Sequence, residues 1–129
     1  MKRLFLLAAS ISLAIPTACN ALEVISHDPV SFTSEDVRDA FLGEKLLVGH
    51  LKLVPVDNTS LQDEFLAKAL QTDSQKYYAR WSRKIYREGL TLPVAKGTDA
   101  EVLAFVKSTP GAIGYVTKAP PGVNVVHGY

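Results

Sequence analysis

Near the end of the chain, Ser108-Thr109-Pro110-Gly111-Ala112-Ile113-Gly114-Tyr115-Val116 reads as a helix end, a tight turn and then a strand. Pro110 cannot continue a helix, and Gly111 can adopt the positive φ of a C-terminal turn. The segment 112–116 is almost wholly apolar, as in a parallel-sheet strand covered on both faces. Such a strand needs helices on either side of its sheet, so the segment points to an α/β architecture.

The other end of the chain bears on compartment. Lys2 and Arg3 form a positive n-region, 4–15 is an uncharged apolar run, and 16–21 is a small-residue segment opened by Pro16. This is the pattern of a secretory signal peptide, and the run is too short for a stable membrane anchor. Cys19 and Ala21 satisfy the small-x-small rule, so cleavage after Ala21 is expected, leaving a periplasmic domain over 22–129. The alternative, lipidation of Cys19, meets a proline at position 16 where a lipoprotein signal has leucine. Without Lys2 and Arg3 the chain carries 12 basic against 13 acidic residues, a balance with no general attraction for nucleic acid. Cys19 is the only cysteine, so the remaining domain makes no disulfide and depends on its core. A chain of this size can bury enough apolar surface to fold as one domain.

Along 22–129 strand-like and helix-like patterns alternate. Residues 22–25 form a short apolar run, and Pro29 restricts Asp28 to extended backbone in the loop that follows. Thr33 is placed to cap a helix carrying Val37, Ala40 and Phe41 at i, i+3 and i+4, ended by Gly43. A strand is expected over 51–56, ending at Pro55 and Asp57. The pairs Thr59/Gln62, Thr72/Gln75 and Thr98/Glu101 have capping-box spacing and are expected to open three more helices. The first would bury Leu61, Phe65, Leu66, Ala69 and Leu70. The second would run to Glu88, with Tyr77, Tyr78, Trp81 and Ile85 as its packing stripe and Gly89 as its stop. The third would bury Val102, Leu103, Phe105 and Val106. A turn at Pro120-Pro121-Gly122 leads to a last strand over 123–126. The alternation implies a mainly parallel sheet flanked by helices.

Taken together, the helix 34–43, then Val54-Pro55-Val56, a hydroxyl-opened helix with Phe65, and Thr109-Pro110-Gly111-Ala112-Ile113-Gly114-Tyr115-Val116 resemble the phosphate-binding proteins of bacterial ABC uptake systems. The resemblance covers nearly all of 22–129 and corresponds to one lobe of a type II periplasmic binding protein. It is greatest to short, secreted, single-lobe relatives. It implies a phosphate or related oxyanion as ligand and a role accessory to uptake or sensing. It also implies a site at a helix start, where unpaired N–H groups face an anion. Aligned on Phe65, the family's Ser-Gly-Thr segment falls on Thr59, Ser60 and Leu61, so Asn58, Thr59 and Ser60 are the candidate ligand residues. The family's upstream arginine has no counterpart over 54–58, and Asp57 would repel a phosphate. Binding is therefore expected to be weak. The loops 28–32, 58–60 and 109–111 are expected to share the open ligand edge, because ligands bind outside the carboxyl ends of parallel strands. A second copy or a membrane protein would supply the missing wall.

Other constellations point to no chemistry. His27, His50 and His127 lack the spacing of a metal site, and no serine lies in a nucleophile turn. No enzymatic activity, cofactor or metal is expected. Lys76, Arg80, Arg83, Lys84 and Arg87 fall on one side of a helix, facing no acid but Glu88. That face suits an acidic partner, a lipid headgroup surface or a phosphate-bearing ligand. A rival reading is an interaction module that lost ligand binding and regulates a membrane transporter or sensor.

Overall fold

The computed structural model describes residues 21–129; the signal peptide and the Cys19 alternative fall outside the described residues. A five-stranded sheet carries helices on both faces. Strand β1 (Glu23–Ser26) leads to α1 (Ser34–Phe41), then to a small hairpin of β2 (Leu47–Val48) and β3 (Leu51–Lys52). Strand β4 (Val54–Asn58) is followed by α2 (Gln62–Ala69), α3 (Ser74–Glu88) and β5 (Val94–Lys96). Helix α4 (Asp99–Ser108), β6 (Ala112–Val116) and β7 (Asn124–Gly128) complete the chain.

The sheet order is β5-β4-β6-β1-β7. Strand β4 pairs in parallel with β5 and β6, whereas β1 pairs antiparallel with both β6 and β7. The sheet is thus mixed rather than mainly parallel. Parallel neighbours require a crossover, which α2 with α3 provides between β4 and β5. The first strand has no crossover before it, and the alternation of elements does not fix its direction.

Strand β6 is buried along its whole length. Its pleat sends Ile113 and Tyr115 to one side, where they join Val37, Phe41, Phe65, Leu66, Tyr77 and Trp81 from α1, α2 and α3. Ala112 and Val116 join Ile25, Val56, Val102 and Val106 on the α4 side. The Phe65 ring stacks on Tyr115 at 3.9 Å between centroids, and Phe41 meets both edge-on. Full burial of one such ring contributes about 1.5–3 kcal/mol. Glycine at 114 is what lets α4 settle onto the sheet. A Cβ there would stand 2.6 Å from Val56 Cγ1 and 2.9 Å from Val102 Cγ1.

Several local expectations change. Thr33 caps α1 in a full box with Asp36, and Thr98 caps α4. Helix α3 is capped by Asp73 instead of Thr72, its carboxylate accepting the Lys76 N–H at 2.9 Å. Helix α2 begins two residues later than read, with Leu61 at the N-cap and no side-chain cap. Thr59 is drawn into the sheet, its N–H donating to the Lys96 carbonyl. The stretch 51–56 divides into β3 and β4, and Pro55 lies inside β4. Val54 donates its N–H to the Gly111 carbonyl, so the donor that Pro55 lacks would face the other side. There β5 pairing begins only at Val56. On α3 only Tyr77 and Trp81 are buried, with Tyr78 and Ile85 left at 40% and 44% exposure. No helix among the described residues is long and apolar enough to cross a membrane.

Candidate functional site

The carboxyl ends of β4, β5 and β6 deliver residues 58–61, 96–98 and 117–119 to one edge of the molecule. Thr59 and Ser60 are exposed there, whereas Asn58 is wholly buried. The Asn58 amide donates to Asp99 Oδ1 at 2.7 Å and to the Tyr115 carbonyl at 3.1 Å. Its oxygen accepts the Ser60 N–H at 3.1 Å and the Ser60 hydroxyl as well. With two donors and two acceptor positions engaged, Asn58 has nothing left for a ligand.

Four backbone donors of this edge are engaged as well, while the first turn of α2 has no side-chain cap. Thr59 N–H goes to the Lys96 carbonyl at 2.9 Å, and Leu61 N–H to the Asn58 carbonyl at 3.0 Å. Gly97 N–H meets Glu101 Oε2 and Thr117 N–H meets Asp99 Oδ2, each at 3.0 Å. Two carboxylates of the chain therefore hold two N–H groups of this edge that could otherwise meet an anion. Burial works against the charged form of Asp99, but the Thr117 N–H and the Asn58 amide outweigh it and hold its carboxyl below the usual range. Lys96 extends away from the edge, its ammonium 5.6 Å from the centroid of the Phe105 ring.

Asp57 does not face this edge. Val56 points to the α4 side, so the pleat turns Asp57 into the opposite layer, where it is 2% exposed. Tyr77 and Tyr115 donate their hydroxyls to its two oxygens at 2.7 and 2.9 Å. Burial raises the Asp57 carboxyl above the usual value, while these hydrogen bonds and Gln62 act the other way. Burial and the neighbouring Asp57 charge push both tyrosine hydroxyls up, so they remain donors. Asp57 therefore makes no direct contact at this edge, its two oxygens being held by Tyr77 and Tyr115. Sequence alternation from the buried Val56 carried the signal.

The three loops expected at one edge do not share it. Because β1 runs against β6, its end at Ser26 lies beside Ile113 at the start of β6. Loops 28–32 and 109–111 therefore meet at the opposite edge from Asn58, Thr59 and Ser60. There the Asp28 carboxylate accepts the Gly111 N–H at 2.7 Å.

The basic face of α3 is less bare than its sequence implies. Glu44, just beyond α1, receives Arg80 at 2.9 Å and Lys84 at 3.2 Å, and Lys84 also reaches Glu88. These contacts hold the Glu44 carboxyl below its usual range, Arg80 first and Lys84 second. Lys76 stands 4.0 Å from Asp73. Arg83 and Arg87 make no ion pair among the described residues, and with Arg80 and Lys84 they line a shallow surface hollow. His27 is tied to the chain, donating from Nδ1 to the Val106 carbonyl at 2.8 Å. No three of His, Cys, Asp and Glu gather in metal-binding geometry among the described residues. Comparison with protein-family models and with curated proteins finds no match for this chain.

Proposed function

We propose that this chain is a single lobe of the type II periplasmic-binding-protein kind that works by docking to a partner protein and is nearly inert toward small oxyanions on its own. The observation that carries this reading is the use of the edge N–H groups of Ser60, Gly97 and Thr117 by Asn58, Glu101 and Asp99. A phosphate would have to displace two fixed carboxylates, and the charge-assisted hydrogen bonds it gains, about 1.5–3 kcal/mol each, would replace bonds of the same kind. Ordering the ligand still costs several kcal/mol. The unpaired Arg83 and Arg87 favour a partner with an acidic surface, steered toward α3 by charge. In this reading the protein is exported to the periplasm, and its partner is the exposed part of a membrane transporter or sensor, or a second copy.

Weak oxyanion binding at Thr59 and Ser60 is the second reading. It draws on the turning away of Asp57 and on the exposure of both hydroxyl residues. Calorimetry separates the two. Phosphate titrated into the monomer should give no saturable heat at micromolar concentrations. An Asp99→Ala, Glu101→Ala double variant, shown to be folded by circular dichroism, should gain measurable binding because the Thr117 and Gly97 N–H groups become free. Micromolar binding by the parent, or no gain in the folded variant, would contradict the proposal.

A further inference from the structure

A second concavity lies at the other end of the sheet from Asn58. It is a cleft of about 400 Å³ between the end of α1, the approach to β2, the start of β4 and the segment joining α3 to β5. Its walls include Leu46, Leu53, Trp81, Leu90, Leu92 and Pro93. The volume falls in the range of sites that hold small organic ligands, which are mostly apolar with a few placed polar groups. Three of its lining residues are small, Ala40, Gly43 and Gly89. Leu46 is left 52% exposed, and Leu92 and Val94 37% each. All three line this one cleft, so an apolar occupant would remove their surface from water at about 25 cal/mol per Å².

The charged groups of the cleft are of one sign. Lys45 and Lys52 line it, and no acidic side chain does. Lys45 is paired with Asp36 at 2.6 Å. Lys52 is exposed and makes no ion pair among the described residues. An apolar chain with a cationic head would gain nothing from this rim, and a wholly apolar molecule would leave Lys52 unmatched. We propose that the cleft is a binding site for an amphipathic anion, a single apolar chain ending in a carboxylate, with the chain against Trp81 and Leu53 and the head on Lys52. This inference does not rest on the partner-docking reading, because it uses none of the residues that reading invokes.

Trp81 is the only tryptophan in the sequence and lines the cleft, so quenching by a bound probe is read from a single indole. The probe is 10-bromodecanoate, whose bromine quenches a neighbouring indole, with decanoate as competitor. The expected result is saturable quenching that decanoate reverses and that decyltrimethylammonium, of equal chain length and opposite charge, does not. Lys52→Glu should weaken binding by about tenfold, and Leu46→Asp, at an exposed wall position, by a similar factor. Both substitutions lie on the surface, and unchanged circular dichroism confirms the fold. The proposal is overturned by any of three results: no saturable quenching below the aggregation concentration of the probe, equal competition by the cation, or undiminished affinity in either variant.

Discussion

Asp57 is the residue at which charge and fold are most tightly linked. Its carboxylate is buried between Tyr77 and Tyr115, and burial raises its proton affinity above the ordinary carboxylate value of 3.8. A raised folded-state value means the folded protein holds this proton more firmly than the unfolded chain does. The contribution of Asp57 to stability is therefore greatest below the unfolded value. It declines as pH rises from 3.8 through the raised folded value, then levels off. Asp57→Asn keeps an acceptor for a tyrosine hydroxyl and removes the charge. Denaturant unfolding across this window should show the Asp57→Asn variant losing less stability than the parent as pH rises, and being at least as stable at neutral pH. Superimposable pH profiles would contradict the account. Tyr77→Phe, by contrast, strands one carboxylate oxygen and should cost about 1–3 kcal/mol. The sequence displayed Asp57 as a charge near a proposed anion site. Its true direction was legible only by counting the pleat from Val56.

At the scale of elements, what was readable followed from local chemistry. The caps at Thr33 and Thr98, the stop at Gly89 and the buried strand Ala112–Val116 rest on residues within a turn of the feature they define. What was missed depends on distant partners. Thr59 has the spacing of a capping residue, but it lies next to the end of β4 with its N–H bound to the Lys96 carbonyl, and α2 starts at Gln62 with an uncapped Leu61 before it. Tyr78 and Ile85 share the helical period of Trp81, yet α1 and the sheet reach only as far around α3 as Tyr77 and Trp81. Glycine 114 shows the reverse case, an apolar strand position whose role lies in what crosses it. Gly114→Ala places a methyl group against Val56 and Val102, and the resulting overpacking should cost about 1–3 kcal/mol in a denaturant titration. A variant as stable as the parent would mean that α4 is free to lift from the sheet.

For the whole molecule, the decisive fact is strand direction. The α/β class and the helices on both faces were readable from the alternation of patterns. The antiparallel β1 was not, and it carries loop 28–32 away from Asn58, Thr59 and Ser60 to the end of the sheet where loop 109–111 leads into β6. The candidate site therefore loses two of its three expected walls. Hydrogen bonds spanning long stretches of sequence, such as Asn58 to Asp99 and Thr117 to Asp99, close the remaining one. No capping or periodicity rule could have shown those bonds, because each joins residues brought together only by the finished sheet. The most direct test of partner dependence is a phosphate titration of the monomer followed through its amide resonances. The account predicts that the Ser60, Gly97 and Thr117 signals stay in place through the micromolar range, since their N–H groups are already bound to Asn58, Glu101 and Asp99. Saturable movement of those three signals at micromolar phosphate would contradict it.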